Sequence, residues 1–195
     1  MDQIDKVFFE TGISFKEYLE RMESEEDRKR TQRYYDRVLR DFSSSQLKVS
    51  IKRKLHLVVI VATWCWDCKT NIPVIARIVE NSLNITLKLF IKEEIMDTGL
   101  LAKINASERI PQLLVFSEDF WFIDRWVERS IRAYQLYAEY KNRYGWGKDR
   151  FDLFLKEYRK AYLRQKKEID QAVIKEIHGI LVKADALSEA TARYH

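Results

Sequence analysis

Residues 55–62 read LHLVVIVA and run, three residues later, into the only two cysteines of the chain, Cys65 and Cys68, within TWCWDC. The run is β-branched and almost wholly apolar, which reads as a strand covered on both faces. Its longest uninterrupted apolar part, Leu57–Ala62, is far too short to cross a bilayer. The segment after it, from Trp64 to Ser82, has Ile72, Ile75, Ala76 and Val79 at helical spacing, continued by Leu83. A strand feeding directly into a helix therefore fixes where the cysteine pair must sit: at the C-terminal end of a strand, on the first turn of a helix. Sites of open α/β sheets collect there.

The flanking segments extend this pattern. Residues 84–91 alternate as a second strand, and residues 95–104 suit a short helix. Gln112–Phe116 and Phe120–Trp126 read as two more strands around a tight turn at Ser117-Glu118-Asp119. Ser130–Tyr144 is again helical. The order β-α-β-α-β-β-α predicts a parallel β-α-β unit closed by an antiparallel hairpin in one mixed sheet.

Upstream, Ser14-Phe15-Lys16-Glu17 has the form of a capping box and predicts a helix after Ser14. Ser24 caps a second helix whose first turn holds Glu25, Glu26 and Asp27. Ser43–Ser45 is the nearest thing to a linker, followed by a short helical piece at 46–52. Downstream of Gly145-Trp146-Gly147, apolar residues from Phe151 to Leu187 keep a three-to-four spacing, predicting a long amphipathic helix bent near 164–168. The chain thus divides into a helical extension (1–54), a central α/β domain (55–144) and a C-terminal helix (145–195). The apolar stripe of that last helix is longer than one small domain is expected to cover. It offers a face to a second copy, as a homodimer, or to another partner.

The net charge of +5 raises the question of nucleic acid. Residues 1–54 carry 13 basic and 11 acidic side chains, residues 55–126 carry 7 and 9, and residues 127–195 carry 15 and 10. The excess lies entirely in the C-terminal third, spread along a helical pattern, which is a solvated face rather than a nucleic-acid surface. The start, MDQIDKVFFETG, lacks the basic and apolar regions of a signal peptide. The expectation is a cytoplasmic protein with no membrane segment, in a compartment where ordinary thiols stay reduced.

Three chemistries compete for the cysteine pair. A structural zinc site needs four ligands, and with no third cysteine and with His56, His178 and His195 scattered, one chain cannot supply them. A static crosslink closing so small a loop constrains the unfolded chain little. A redox pair fits the position: backbone N–H groups and the positive helix end favour thiolate over thiol at the first cysteine. The second lies one turn on, within reach of a mixed disulfide. Cys65 is then the attacking sulfur and Cys68 the resolving one.

Trp64-Cys65-Trp66-Asp67-Cys68-Lys69 resembles the Trp-Cys-x-x-Cys-Lys signature of the thioredoxin superfamily, with Pro73 at the place of its helix-kinking proline and Arg109-Ile110-Pro111 at that of its cis-proline loop. The closer likeness is to a thioredoxin-like subfamily with leading helices, a Trp-Cys-x-Asp site, an Ile-Pro loop and a Trp-x-x-Arg stretch, here Trp126 to Arg129. The resemblance covers roughly residues 10–143. It implies a thioredoxin fold, a cis bond before Pro111, and a thiol–disulfide oxidoreductase that reduces protein disulfides. No cofactor is implied beyond the Cys65–Cys68 disulfide, and an unnamed reductase supplies electrons.

It also implies a substrate-docking surface of Trp64, Trp66, Ile110 and Pro111, where an extended peptide could pair in strand fashion. Packing alone would account for Trp64 before Trp66. Val59 stands where thioredoxin has a buried aspartate, so water, Asp67 or a lysine such as Lys92 must handle the resolving proton. Asp67 and Lys69, beside the cysteines, are further modulators, and the Asp67 carboxylate is expected to disfavour the thiolate. His56 reads as packing or an edge residue, and Arg129 as an internal salt-bridge partner rather than an anion site.

Overall fold

The computed structural model describes residues 4–96, 109–145 and 147–191. Four helices lead in: α1 (Lys6–Glu10), α2 (Phe15–Glu20), α3 (Glu25–Asp41) and α4 (Ser44–Leu47). The expected capping box is present, with Glu17 N–H donating to Ser14 Oγ at 3.2 Å and Ser14 N–H to Glu17 Oε2 at 2.7 Å. Ser24 caps α3 by accepting from Asp27 N–H at 3.2 Å. Helix α1, which the sequence pattern does not announce, is a single turn capped by Asp5.

The core is a four-stranded sheet in the order β2-β1-β3-β4, with β1 (Leu55–Val61), β2 (Ile85–Ile91), β3 (Gln112–Ser117) and β4 (Phe122–Val127). β1 pairs in parallel with β2, and antiparallel with β3, which pairs antiparallel with β4. In β1 every residue but His56 is buried, as its apolar composition requires. The free edge of β2 is closed by the chain itself: Ile13 bridges Leu89, exchanging N–H···O bonds of 2.9 and 2.8 Å. Gly12 makes this approach possible, because a Cβ there would lie 2.7 Å from Lys88 Cβ and from the Phe90 ring.

α5 (Trp66–Glu80) connects β1 to β2, and α6 (Lys92–Ile95) follows β2 directly. The helix expected at 95–104 falls almost wholly on residues 97–108, which lie outside those described. β4 starts two residues later than its apolar pattern suggests. Phe120 takes a left-handed conformation (φ 62°) and its N–H closes onto Ser117 O, extending the turn, and the register slips between Val115 and Phe116.

Three helices finish the described chain: α7 (Ile131–Tyr144), α8 (Lys148–Arg164) and α9 (Lys166–Thr191). The single long helix expected from residue 148 is broken rather than bent, at Gln165. Most of its apolar stripe is covered within the chain, while Phe151 and Leu187 at its ends are exposed. Val173, Ile174, Ile177, Leu181 and Ala184 of α9 belong to one buried cluster with the sheet, α5 and the N-terminal helices. Phe154, Tyr158 and Tyr162 of α8 form a second cluster with Leu136 and Tyr140 of α7. Among the described residues no helix is long and apolar enough to cross a membrane.

Candidate functional site

Cys65 is itself the N-cap of α5. Its backbone is extended (φ −71°, ψ 120°), and its Sγ accepts from Cys68 N–H at 3.2 Å. A sulfur in the place usually held by a serine or aspartate oxygen lies where unpaired N–H groups and the helix dipole favour negative charge. On its other side the Cys65 thiol donates to Ile110 O at 3.6 Å. Ile110–Pro111 is a cis peptide, as the resemblance implies, and both residues are buried against the cysteine turn.

The two sulfurs, both free thiols here, differ in environment. Cys65 keeps 5% of its exposure and Cys68 none. Burial pushes the Cys68 thiol well above its ordinary value, the Cys65 sulfur beside it adds to the rise, and the Ala62 backbone partly offsets both. Cys68 is thus the sulfur that stays protonated until something demands its proton. Val59 of β1 is fully buried and apolar.

The tryptophans reverse the sequence expectation. Trp64 is 66% exposed, its indole N–H donating to Glu93 Oε1 at 2.7 Å across the site from α6. Trp66 instead turns into the tail. Its ring meets Tyr162 edge-on at 4.6 Å and Tyr158 at 6.0 Å, with the Arg159 guanidinium 5.7 Å from its centroid. Of the expected docking residues, Trp64, Ile110 and Pro111 surround Cys65, while Trp66 is half-buried against α8.

The charged residues are paired. Asp67 receives both arms of Arg129, Nε to Oδ1 at 3.0 Å and Nη2 to Oδ2 at 2.7 Å. Burial pushes the Asp67 carboxyl above its usual range, and the Arg129 hydrogen bonds pull it back. Lys69, buried, is held by Asp27 of α3. Lys92 is half-buried as the first residue of α6, at the end of β2 beside the end of β1. Pro73 deprives α5 of one N–H, and nearby the Thr70 carbonyl accepts from Lys166 Nζ at 3.2 Å. Lys166 is fully buried and paired with Asp170.

Tyr18 of α2 was not legible as a site residue, since a tyrosine on the inner face of a capped helix signals only packing. Its ring is fully buried and its hydroxyl donates to Ala62 O at 3.1 Å, the carbonyl that also accepts Cys65 N–H at 3.3 Å. Burial first, then the sulfurs of Cys68 and Cys65, raise the phenol well above 10.0. His56 lies at the opposite end of β1, bonded to Thr86 Oγ1 at 2.7 Å and stacked on Phe120, which is the packing role expected of it.

Comparison with known proteins adds to this picture. No curated protein sequence matches the chain. Among solved structures, a protein of unknown function from Pseudomonas aeruginosa superposes with a TM-score of 0.67 at 19% identity, covering 92% of this chain and 98% of that one. An HIV epitope scaffold superposes with a TM-score of 0.64 at 22% identity, over 89% of this chain and 94% of its own. Both show a shared fold. A family model described as thioredoxin matches residues 12–141, most of the chain and all of the cysteine site, and the protein belongs to that family.

Proposed function

We propose that the protein is a thiol–disulfide oxidoreductase that reduces disulfides of protein substrates in the cytoplasm as part of redox homeostasis. The observation that carries this reading is the N-cap geometry of Cys65, whose sulfur accepts the Cys68 N–H at 3.2 Å beside the cis Ile110–Pro111 peptide. The Cys65 thiolate attacks one sulfur of the substrate disulfide, forming a mixed disulfide and releasing the other as a thiolate. Cys68 then loses its proton and attacks Cys65 Sγ, releasing the second substrate thiolate and leaving the Cys65–Cys68 disulfide. Two electrons have passed to the substrate, and an external dithiol reductant must restore the pair.

Trp64 is the exposed aromatic beside Cys65, and an extended peptide laid along Ile110 would cross it. Reduction is the favoured direction because the guanidinium that reaches the cysteine turn is taken up by Asp67. No net positive charge is then added to stabilise the reduced pair. A reduction potential near the about −120 mV of a strong periplasmic oxidant would reverse that assignment.

The test is turbidimetric insulin reduction with dithiothreitol as donor. Wild type should accelerate it, Cys65→Ser should abolish the acceleration, and Cys68→Ser should accumulate a mixed disulfide with insulin. Equal behaviour of wild type and both variants would refute the reading.

A further inference from the structure

Asp67 lies in the first turn of α5 and, in sequence, between the two cysteines. It and the Cys65 sulfur draw on the same positive helix end, so each negative charge opposes the other. A bare carboxylate there would add a negative charge to the cysteine turn. It is not bare.

Arg129 meets it fork to fork, with side-chain exposures of 14% for the arginine and 11% for the aspartate. Water screens such a pair far less than a surface one. The segment that carries Arg129 is built into the site. Glu128 takes a left-handed conformation (φ 64°), and its N–H donates to Pro111 O at 2.7 Å, on the other wall of the site. Asn71 Nδ2 donates to both Asp67 O (2.9 Å) and Glu128 O (3.2 Å), tying this segment to α5. The Tyr137 ring, 4.7 Å from the guanidinium, backs it from α7.

We propose that Arg129 is a positioning residue of the redox site: by pairing with Asp67 it cancels the charge between the cysteines and sets how readily Cys65 ionises. The inference rests on the reading of Cys65 and Cys68 as a redox pair. Other charges face the same carboxylate. Glu128 adds a negative charge that is itself bonded to Arg129 at 2.9 Å and to the Tyr134 hydroxyl at 2.8 Å, and Arg159 adds a positive one from α8. Neither replaces the two-armed contact, which Arg129 alone makes among the described residues.

Opposite charges removed singly must act in opposite directions, and a merely structural pair would not do this. The measurement is the rate of Cys65 alkylation by iodoacetamide from pH 5 to 9, in the Cys68→Ser background so that the label reports one sulfur. Arg129→Gln should slow the reaction about tenfold at pH 7, the order expected for one uncompensated charge close by. Asp67→Asn should speed it several-fold, roughly the same effect with the sign reversed. The double variant should return to within about threefold of the parent.

Two single variants that shift the rate the same way, or an Asp67→Asn variant no faster than the parent, would overturn the proposal. If Arg129→Gln fails to fold, Asp67→Asn alone decides, with Arg129→Lys as the variant that keeps charge and loses the fork. Alkylation needs no substrate. A wild type that reduces insulin but lacks this pattern fails here, and one that shows the pattern without reducing insulin fails the functional reading instead.

Discussion

Helix α5 is held on two flanks, and the two grips differ in kind. On one side lies α3, a 17-residue helix of which only Thr31 and Val38 are buried. Val38 joins the apolar core, and polar contacts tie the helix to α5: Asp27 to Lys69, the Arg77 guanidinium 3.4 Å from the centroid of the Tyr35 ring, and Arg77 Nε to Tyr35 O at 3.2 Å. On the other side α9 sets five aliphatic or alanine side chains into the core shared with the sheet, and α8 receives Trp66. Apolar area removed from water stabilises by about 25 cal/mol per Å², whereas partly exposed ion pairs contribute about 1 kcal/mol or less. The tail should therefore govern whether the domain folds, and α3 how the two ends of α5 are seated.

The strongest way to break that contrast is to remove residues 148–195. The exposed core face should abolish cooperative thermal unfolding and leave insoluble or molten protein, measured by near-ultraviolet circular dichroism and gel filtration. A soluble truncated domain with a sharp transition would show that the tail is an accessory. A finer version compares single side chains. Ile177→Ala, at a fully buried site of α9, should cost about 3 kcal/mol in urea unfolding through lost transfer energy and a cavity. Lys69→Met, which keeps the buried stem and leaves Asp27 partly solvated, should cost about 1 kcal/mol. Equal losses from the two would erase the distinction between the flanks.

Periodicity carried much of this architecture and none of the pairings that join distant segments. The strand at 55–61 and the capped helices were legible because each signal lies within a few residues. So was the cysteine turn, since strand and helix patterns meet at residues 62–66. The Asp67–Arg129 fork was not, because it joins residues 62 apart and depends on the left-handed Glu128. A salt bridge could be expected of Arg129, but not its partner.

The stripe from Phe151 to Leu187 was visible as apolar, yet a stripe does not say what covers it. Only folding the tail back, with the break at Gln165, shows the sheet and α5 beneath it. The two tryptophans exchanged roles for a similar reason. Their spacing sends them to different sides of the turn, and the burying partners, Tyr158 and Tyr162, lie about 90 residues on.

The smallest effect concerns pH, and it separates the N-terminal side from the tail once more. His56 lies where α1 meets the sheet, its ring 4.9 Å from Phe9 and stacked on Phe120 at 4.3 Å. Burial lowers its pKa from the ordinary 6.5, an effect the Glu118 backbone only partly offsets. A histidine depressed in the folded state is protonated first in the unfolded chain. Its contribution is therefore whole above pH 6.5 and is lost as pH falls from there toward the folded value. The ring is only partly buried, so the change is a fraction of what full burial would give. Urea midpoints at pH 7.5 and 5.5 for wild type and His56→Gln isolate it, because the other titrating groups are common to both proteins. The wild-type midpoint should fall further than the variant's on acidification. A larger fall in the variant would mean that protonated His56 finds a partner in the folded protein, and that the N-terminal side is held by charge rather than by ring packing.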